Sequence, residues 1–113
     1  MPRASAARLI DAAPLFAALG DPARLTIVSR LCEDGPLSIV RLTEGANISR
    51  QAVTKHLVAL SDAGLVRGER SGRERVWQLQ PHRLDDVRRY LDQIALQWDA
   101  AIARLCALVE EEG

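Results

Sequence analysis

Apolar residues recur at helical spacing along most of this chain, broken by one interval in which they alternate. Residues 5–19 carry Leu9, Ile10, Leu15, Phe16 and Leu19 and stop at Gly20, which predicts a first helix. Pro14 falls inside it and predicts either a kink or a fresh helix start. Asp21-Pro22 reads as an N-cap followed by proline at the first helical position. The helix behind it is expected to reach about Cys32 and to bury Leu25, Val28 and Leu31, with Ile27 and Cys32 as further candidates. Glu33-Asp34-Gly35-Pro36 is a turn cluster.

Ser38 looks like the next cap, opening a short helix with Ile39 and Leu42 inward that closes near Gly45-Ala46-Asn47. In ISRQAVTKHLVALSDAGLV, residues 48–66, Ser49 is a cap and Gly64 a stop. With Val53 at zero and a step of about 100° per residue, Leu57 falls near 40° and Leu60 near 340°. Those three form the predicted buried stripe. Gln51, Lys55 and Asp62 fall on the opposite face, with Thr54 and Val58 flanking. His56 lies at the edge of the buried side, where it is either a half-buried, hydrogen-bonded side chain or a phosphate contact.

LVRGER and RVWQLQ alternate around Ser71-Gly72, which predicts a two-stranded hairpin with an arginine-rich tip. Leu65, Val66, Val76, Trp77 and Leu79 supply its apolar positions. After Pro81, apolar residues return at spacings of three and four: Leu84, Val87, Leu91, Ile94, Trp98, Ile102, Leu105 and Val109. A helix over 82–111 would be roughly 45 Å long at 1.5 Å per residue. One domain of 113 residues cannot cover it along its whole length, and the economical cover for its second half is the same helix of a second copy.

Composition adds three constraints. Aromatics are 4% of the chain, so the core has to be built from Leu, Ile, Val and Ala. No apolar run approaches a bilayer span, and Asp11 interrupts the apolar part of MPRASAARLIDAAPLF, so neither a membrane anchor nor a secretory signal is expected and the predicted location is cytoplasmic. Cys32 and Cys106 do not make a disulfide framework or a C-x-x-C pair, and are expected to be small buried residues. The net charge is zero, but its distribution is uneven. Residues 49–75 hold six basic and three acidic side chains, whereas residues 76–113 hold four and seven. The middle of the chain is a local cation and the tail offsets it.

The order helix, helix, short helix, capped helix, hairpin is that of a winged helix-turn-helix: mainly α with a small β-hairpin. In this arrangement the capped helix enters the major groove by its first residues and a dimer reads two half-sites. Gln51 suits adenine and Arg50 or Lys55 suit guanine. Ser49 and the free amides at the helix start suit phosphate, and the wing arginines suit phosphates or a narrow minor groove. A solvated helix face is the plain alternative.

FAALGDPARLTIVSRL, GPLSIVRLTEGANISRQAVTKHLVALSDAGLVRGERSGRERVWQL and ALQWDAAIARLCALVEEE resemble the ArsR (ArsR/SmtB-like) family of bacterial winged-helix repressors over roughly residues 12–111. The combination of L-G-D-P-x-R-L, S-x-x-A-V-T-K-H-L and L-x-x-A-G-L-V is specific. The long tail with Trp98 looks most like the branch containing the SdpR-type autorepressors. The resemblance implies one domain over 1–113, with a DNA-binding core and wing at 36–80 and dimerisation helices at 5–19 and 82–111. It implies a homodimer, joined through Leu9, Leu15, Phe16, Leu91, Ile94, Trp98, Ile102 and Leu105, on double-stranded DNA carrying an imperfect palindrome. The family's DNA contacts carry over onto Ser49, Arg50, Gln51, Thr54, Lys55, His56, Arg73 and Arg75, with Ser38 a weaker phosphate candidate.

Metal-sensing members carry a Cys-x-Cys on the first motif helix or a carboxylate and histidine set on the last helix. LSIVRLTEG has no cysteine, and the last helix has Asp85, Asp86, Asp92 and Asp99 but no histidine beyond His82. No metal site or cofactor is therefore expected. Sulfur-sensing members pair a cysteine on the second helix with one on the last, and Cys32 and Cys106 fall on those helices, although their positions match poorly. A thiol-gated repressor is thus one alternative. A winged-helix protein-interaction module is another, disfavoured because Arg50, Gln51, Lys55, Arg73 and Arg75 stand where such a module would carry apolar or acidic groups. With no nucleophile–base pair in a motif context, an enzyme is the least expected class. The sequence assigns no small-molecule inducer.

Overall fold

Short polar caps and glycines set where each helix begins and ends. The computed structural model describes the backbone of residues 2–112 and the side chains of residues 11–111. Its elements are α1 (Pro2–Leu19), α2 (Pro22–Asp34), β1 (Leu37–Ser38), α3 (Ile39–Thr43), α4 (Arg50–Asp62), β2 (Val66–Ser71), β3 (Glu74–Leu79) and α5 (Pro81–Glu112). α1 runs on through Pro14 as one helix, so the proline does not open a new one.

The Gly-Asp-Pro-x-Arg segment joins α1 to α2 from both sides. The Asp21 carboxylate accepts from the N–H groups of Ala23 at 2.8 Å and Arg24 at 3.1 Å, capping α2. The Arg24 guanidinium reaches back and donates to the Ala18 carbonyl, one of the free acceptors at the end of α1. The N–H of Arg24, followed by that of Ala23 and by the charges of Arg24 and His56, holds Asp21 below its ordinary pKa of 3.8. A carboxylate with a depressed folded pKa contributes stability above its unfolded value and loses that contribution as pH falls through the folded one. Asp21→Asn keeps a capping oxygen but cannot titrate, so its thermal midpoint should fall less steeply than wild type's on acidification. Parallel acid limbs for the two proteins would refute this.

The buried centre comprises Leu15, Val53, Leu57, Leu60 and Leu65, with Ile27, Val28, Leu31, Leu37, Leu42, Val66, Trp77 and Val87 around it. Val53, Leu57 and Leu60 form the buried stripe of α4, as the spacing predicts. α2 turns differently from expectation. Ile27, Val28 and Leu31 face the core, while Leu25 and Cys32 are exposed. Those two lie roughly 100° round the helix from the buried face, so the choice between faces was made by packing against α4 and β3. Cys106 is also exposed on the single chain, so neither cysteine is buried by its own chain.

α3 and α4 form the helix-turn-helix. Ser38 and Ser49 cap them, accepting from the N–H groups of Arg41 and Ala52. The connection spans residues 44–49, because α3 ends at Thr43, a little before the expected close near Gly45-Ala46-Asn47. Arg30 of α2 donates to the Leu42 carbonyl at 3.0 Å and ties the end of α3 to the core. Gly64, at φ 79°, ends α4; the N–H groups of Gly64 and Leu65 return to Ser61 and Leu60, the left-handed stop that glycine permits.

The sheet has three antiparallel strands in the order β1-β3-β2. The third strand, β1, is an addition to the predicted hairpin: Leu37 pairs with Trp77 and Ser38 with Val76. The wing turn is Gly72-Arg73, one position later than predicted, with Gly72 at φ 64° and Ser71 opposite Glu74. α5 packs on the core through Leu84, Val87 and Tyr90 and then continues beyond it, which gives the chain extents of 67 × 29 × 20 Å. Among the described residues no helix is long and apolar enough to cross a membrane.

Candidate nucleic-acid interface

The first turns of α4 present the largest share of the predicted contacts. Arg50, Gln51, Thr54 and Lys55 are all exposed, and the helical step puts Gln51 and Lys55 on the face opposite Val53 and Leu57. Among the described residues neither Arg50 nor Lys55 has an ion-pair partner; the ion pairs are Arg41–Glu44, Arg67–Glu69, Arg83–Asp86 and Arg89–Asp85. The Ser49 hydroxyl oxygen accepts from the Ala52 N–H, which leaves its own proton free to donate to a phosphate. The Thr54 hydroxyl donates its proton to the Arg50 carbonyl at 2.8 Å, which leaves its oxygen as an acceptor.

His56 is half-buried and close enough to Asp21 to act on its carboxylate. Half-burial fits one part of the structural alternative for this residue; a phosphate contact remains open to it. Ser38 is buried, with its oxygen engaged by the Arg41 N–H. It caps α3 and leaves little surface for a phosphate, which counts against its place among the DNA contacts.

On the wing, Arg73 sits in the turn and Arg75 on β3, both exposed. The register brings in a residue absent from the predicted set: Arg70 stands directly opposite Arg75. Gly68, Arg70, Arg73 and Arg75 together line a hollow of about 340 Å³. The signal that could have revealed Arg70 was the pairing register, which depends on where the turn falls.

The predicted dimer contacts divide. Leu91, Ile94, Trp98, Ile102 and Leu105 are all exposed, and Trp98, Ile102 and Leu105 line one apolar hollow with Ala101. Phe16 is half-buried against the core. Leu15 is fully enclosed within its own chain and has no surface for a partner, a correction. The side chain of Leu9 lies outside those described. Among the described residues no three His, Cys, Asp or Glu side chains gather as a metal ion would require.

Comparison with known proteins agrees with this geometry. A family described as "Helix-turn-helix domain" matches residues 19–69. The HTH-type transcriptional regulator Rv2034 of Mycobacterium tuberculosis is 38% identical over 96 residues, covering 85% of this chain and 86% of that one. The HTH-type transcriptional repressor SmtB of the same species is 37% identical over 95 residues, covering 83% and 68%. Among solved structures, an ArsR-like transcriptional regulator from Rhodococcus sp. RHA1 superposes with a TM-score of 0.72 at 34% identity, covering 85% of this chain and 90% of that one.

Proposed function

The chain belongs to the ArsR family of winged helix-turn-helix, DNA-binding transcriptional regulators, which are not enzymes, and from that premise we propose that it is a homodimeric repressor that binds an imperfectly palindromic operator in the cytoplasm. Residues 36–80 supply the DNA-binding core and wing; α1 and α5 supply the dimer. The observation that carries this reading is the exposed first half of α4. There Ser49, Arg50, Gln51, Thr54 and Lys55 surround a helix N-terminus, and among the described residues neither cation has an ion-pair partner. Donors of this kind at such a terminus match phosphates and base edges of the major groove.

The reading includes no metal sensing, because α3 carries no cysteine and α5 no histidine beyond His82. The exposure of Cys32 and Cys106 favours one second reading, the same repressor gated by thiol oxidation.

The test is binding of the purified protein to its own upstream intergenic DNA against scrambled DNA, at two salt concentrations and with and without reductant. Preference for the upstream DNA, unchanged by reductant, is expected. Binding that requires reductant would favour thiol gating. Loss of any preference would count against sequence-specific repression at that site and would favour the protein-interaction module.

A further inference from the structure

The wing concentrates positive charge in a way that costs the free protein stability. Arg70 and Arg75 are directly opposed across β2 and β3, and like charges in that relation repel. Arg73 joins them at the turn, lining the same hollow. The nearby acids do not neutralise them. Glu69 is paired with Arg67, and Glu69 and Glu74 occupy alternate strand positions, on the other face of the hairpin from Arg70 and Arg75. Among the described residues none of the three arginines has an ion-pair partner.

One of the three is also held in place. The Arg75 guanidinium carbon lies 5.0 Å from the centre of the Trp77 ring, within reach of a cation–π contact. Trp77 is 5% exposed, and its indole N–H has no partner. What this indole offers the site is therefore its ring face. Gly68 stands opposite Trp77 and makes the room. A Cβ there would lie 2.6 Å from Arg75 Nε and 3.2 Å from Cη2 and Cζ3 of Trp77. The backbone at Gly68 does not require glycine, since its φ is not positive. The missing side chain is what lets Arg75 lie along the indole.

Resting on the reading of this chain as a DNA-binding regulator, we propose that Gly68 and Trp77 are positioning residues for a phosphate clamp. Arg70, Arg73 and Arg75 hold the DNA backbone without reading sequence. An arginine laid along a tryptophan is shortened for probing a minor groove but is pre-organised for a phosphate oxygen. Gly68→Ala moves only the far end of a flexible side chain and a few tenths of an ångström of indole, so the fold tolerates it. Trp77→Phe keeps a ring face and removes an unsatisfied N–H.

The experiment measures dissociation constants over a salt series for wild type, Arg70→Ala, Gly68→Ala, Trp77→Phe and Trp77→Leu, each on the upstream duplex and on a scrambled duplex. Removing one phosphate interaction lowers the slope of log K against log salt by roughly 0.9, which at about 0.1 M salt is close to a tenfold loss of affinity. Arg70→Ala and Gly68→Ala are expected to lower the slope by about that amount per protomer on both duplexes. Trp77→Phe should retain most of the slope, and Trp77→Leu should behave like Gly68→Ala. Unchanged slopes in Arg70→Ala and Gly68→Ala, with wild type still preferring the upstream duplex, would overturn the clamp and leave the repressor reading standing. A loss confined to the upstream duplex would also overturn it, because the arginines would then be reading bases. Reduced slopes in Arg70→Ala and Gly68→Ala, with no preference between duplexes in wild type, would support the clamp and count against sequence-specific repression.

Discussion

Ile94→Glu and Leu105→Glu are each expected to convert the protein to a monomer and to weaken its binding to palindromic DNA by about 10²- to 10⁴-fold, the range by which linking two binding events exceeds one. The reason lies in α5. Among the described residues its last buried one is Val87, and from Leu91 onward the large side chains of its apolar face are exposed. Leu91, Ile94, Trp98, Ile102, Leu105 and Val109 all fall within about 60° of one line along the helix. Trp98 is 68% exposed, Leu105 60% and Val109 63%. Each such side chain gains about 1.5–3 kcal/mol on burial, and a solitary helical extension of this length is marginal in water. A second copy offering the same stripe satisfies both requirements at once. A glutamate in the seam then places a carboxylate where it has no partner, at a cost of several kcal/mol or a raised pKa. Leu96 provides the control. It is 71% exposed but lies about 140° from Leu91 round the helix, so Leu96→Glu should remain a dimer. Sedimentation and DNA titration of the three variants decide the matter. A dimeric Ile94→Glu, or a monomeric Leu96→Glu, would mean that this stripe is not the contact.

The features of this fold that were legible in the sequence are the ones decided locally. Asp21, Ser38 and Ser49 were readable as caps because an N-cap is a relation between a side chain and the N–H groups two or three residues on. The stripe of α4 was readable because only one of its faces is apolar. α2 was not, since Leu25 and Cys32 continue its apolar surface round the helix, and nothing local says which side the core will take. β1 was invisible for a related reason. Two residues have no period, and Leu37-Ser38 is a strand only because Trp77 and Val76 lie alongside.

The wing shows how far a small error in a turn propagates. A turn centred on Ser71-Gly72 would oppose Gly68 to Arg75 and Arg70 to Arg73. With Gly72-Arg73 as the turn, Gly68 opposes Trp77 and Arg70 opposes Arg75. Register determines which side chains meet, so the arginine cluster was beyond reach of the sequence while its existence as an arginine-rich tip was not. Ser38 erred in the other direction. Its type and position fitted a phosphate contact, and only its burial at the junction of β1 and α3 counts against one.

Gln51→Ala is expected to lower affinity for the cognate operator by about tenfold to a hundredfold, from the roughly 1–3 kcal/mol that a bidentate side-chain–base pair contributes, and to leave affinity for scrambled DNA nearly unchanged. Gln51 is exposed on the first turn of α4, the part of a recognition helix that reaches base edges. Its amide is uncharged, so it adds nothing to the counterion release that dominates non-specific binding. It also has both a donor and an acceptor, which is what the N6 and N7 edge of adenine requires. Arg73→Ala should behave oppositely, weakening both duplexes together and flattening their salt dependence. The two variants therefore separate the two parts of the proposed interface: discrimination on α4 and general affinity on the wing. Equal losses on both duplexes for Gln51→Ala would remove Gln51 from base reading and would transfer discrimination to its neighbours Arg50, Thr54 and Lys55. Of these, the cations would carry a salt-dependent share that an amide does not. The salt series used for the wing thus identifies which side chain on α4 does the reading.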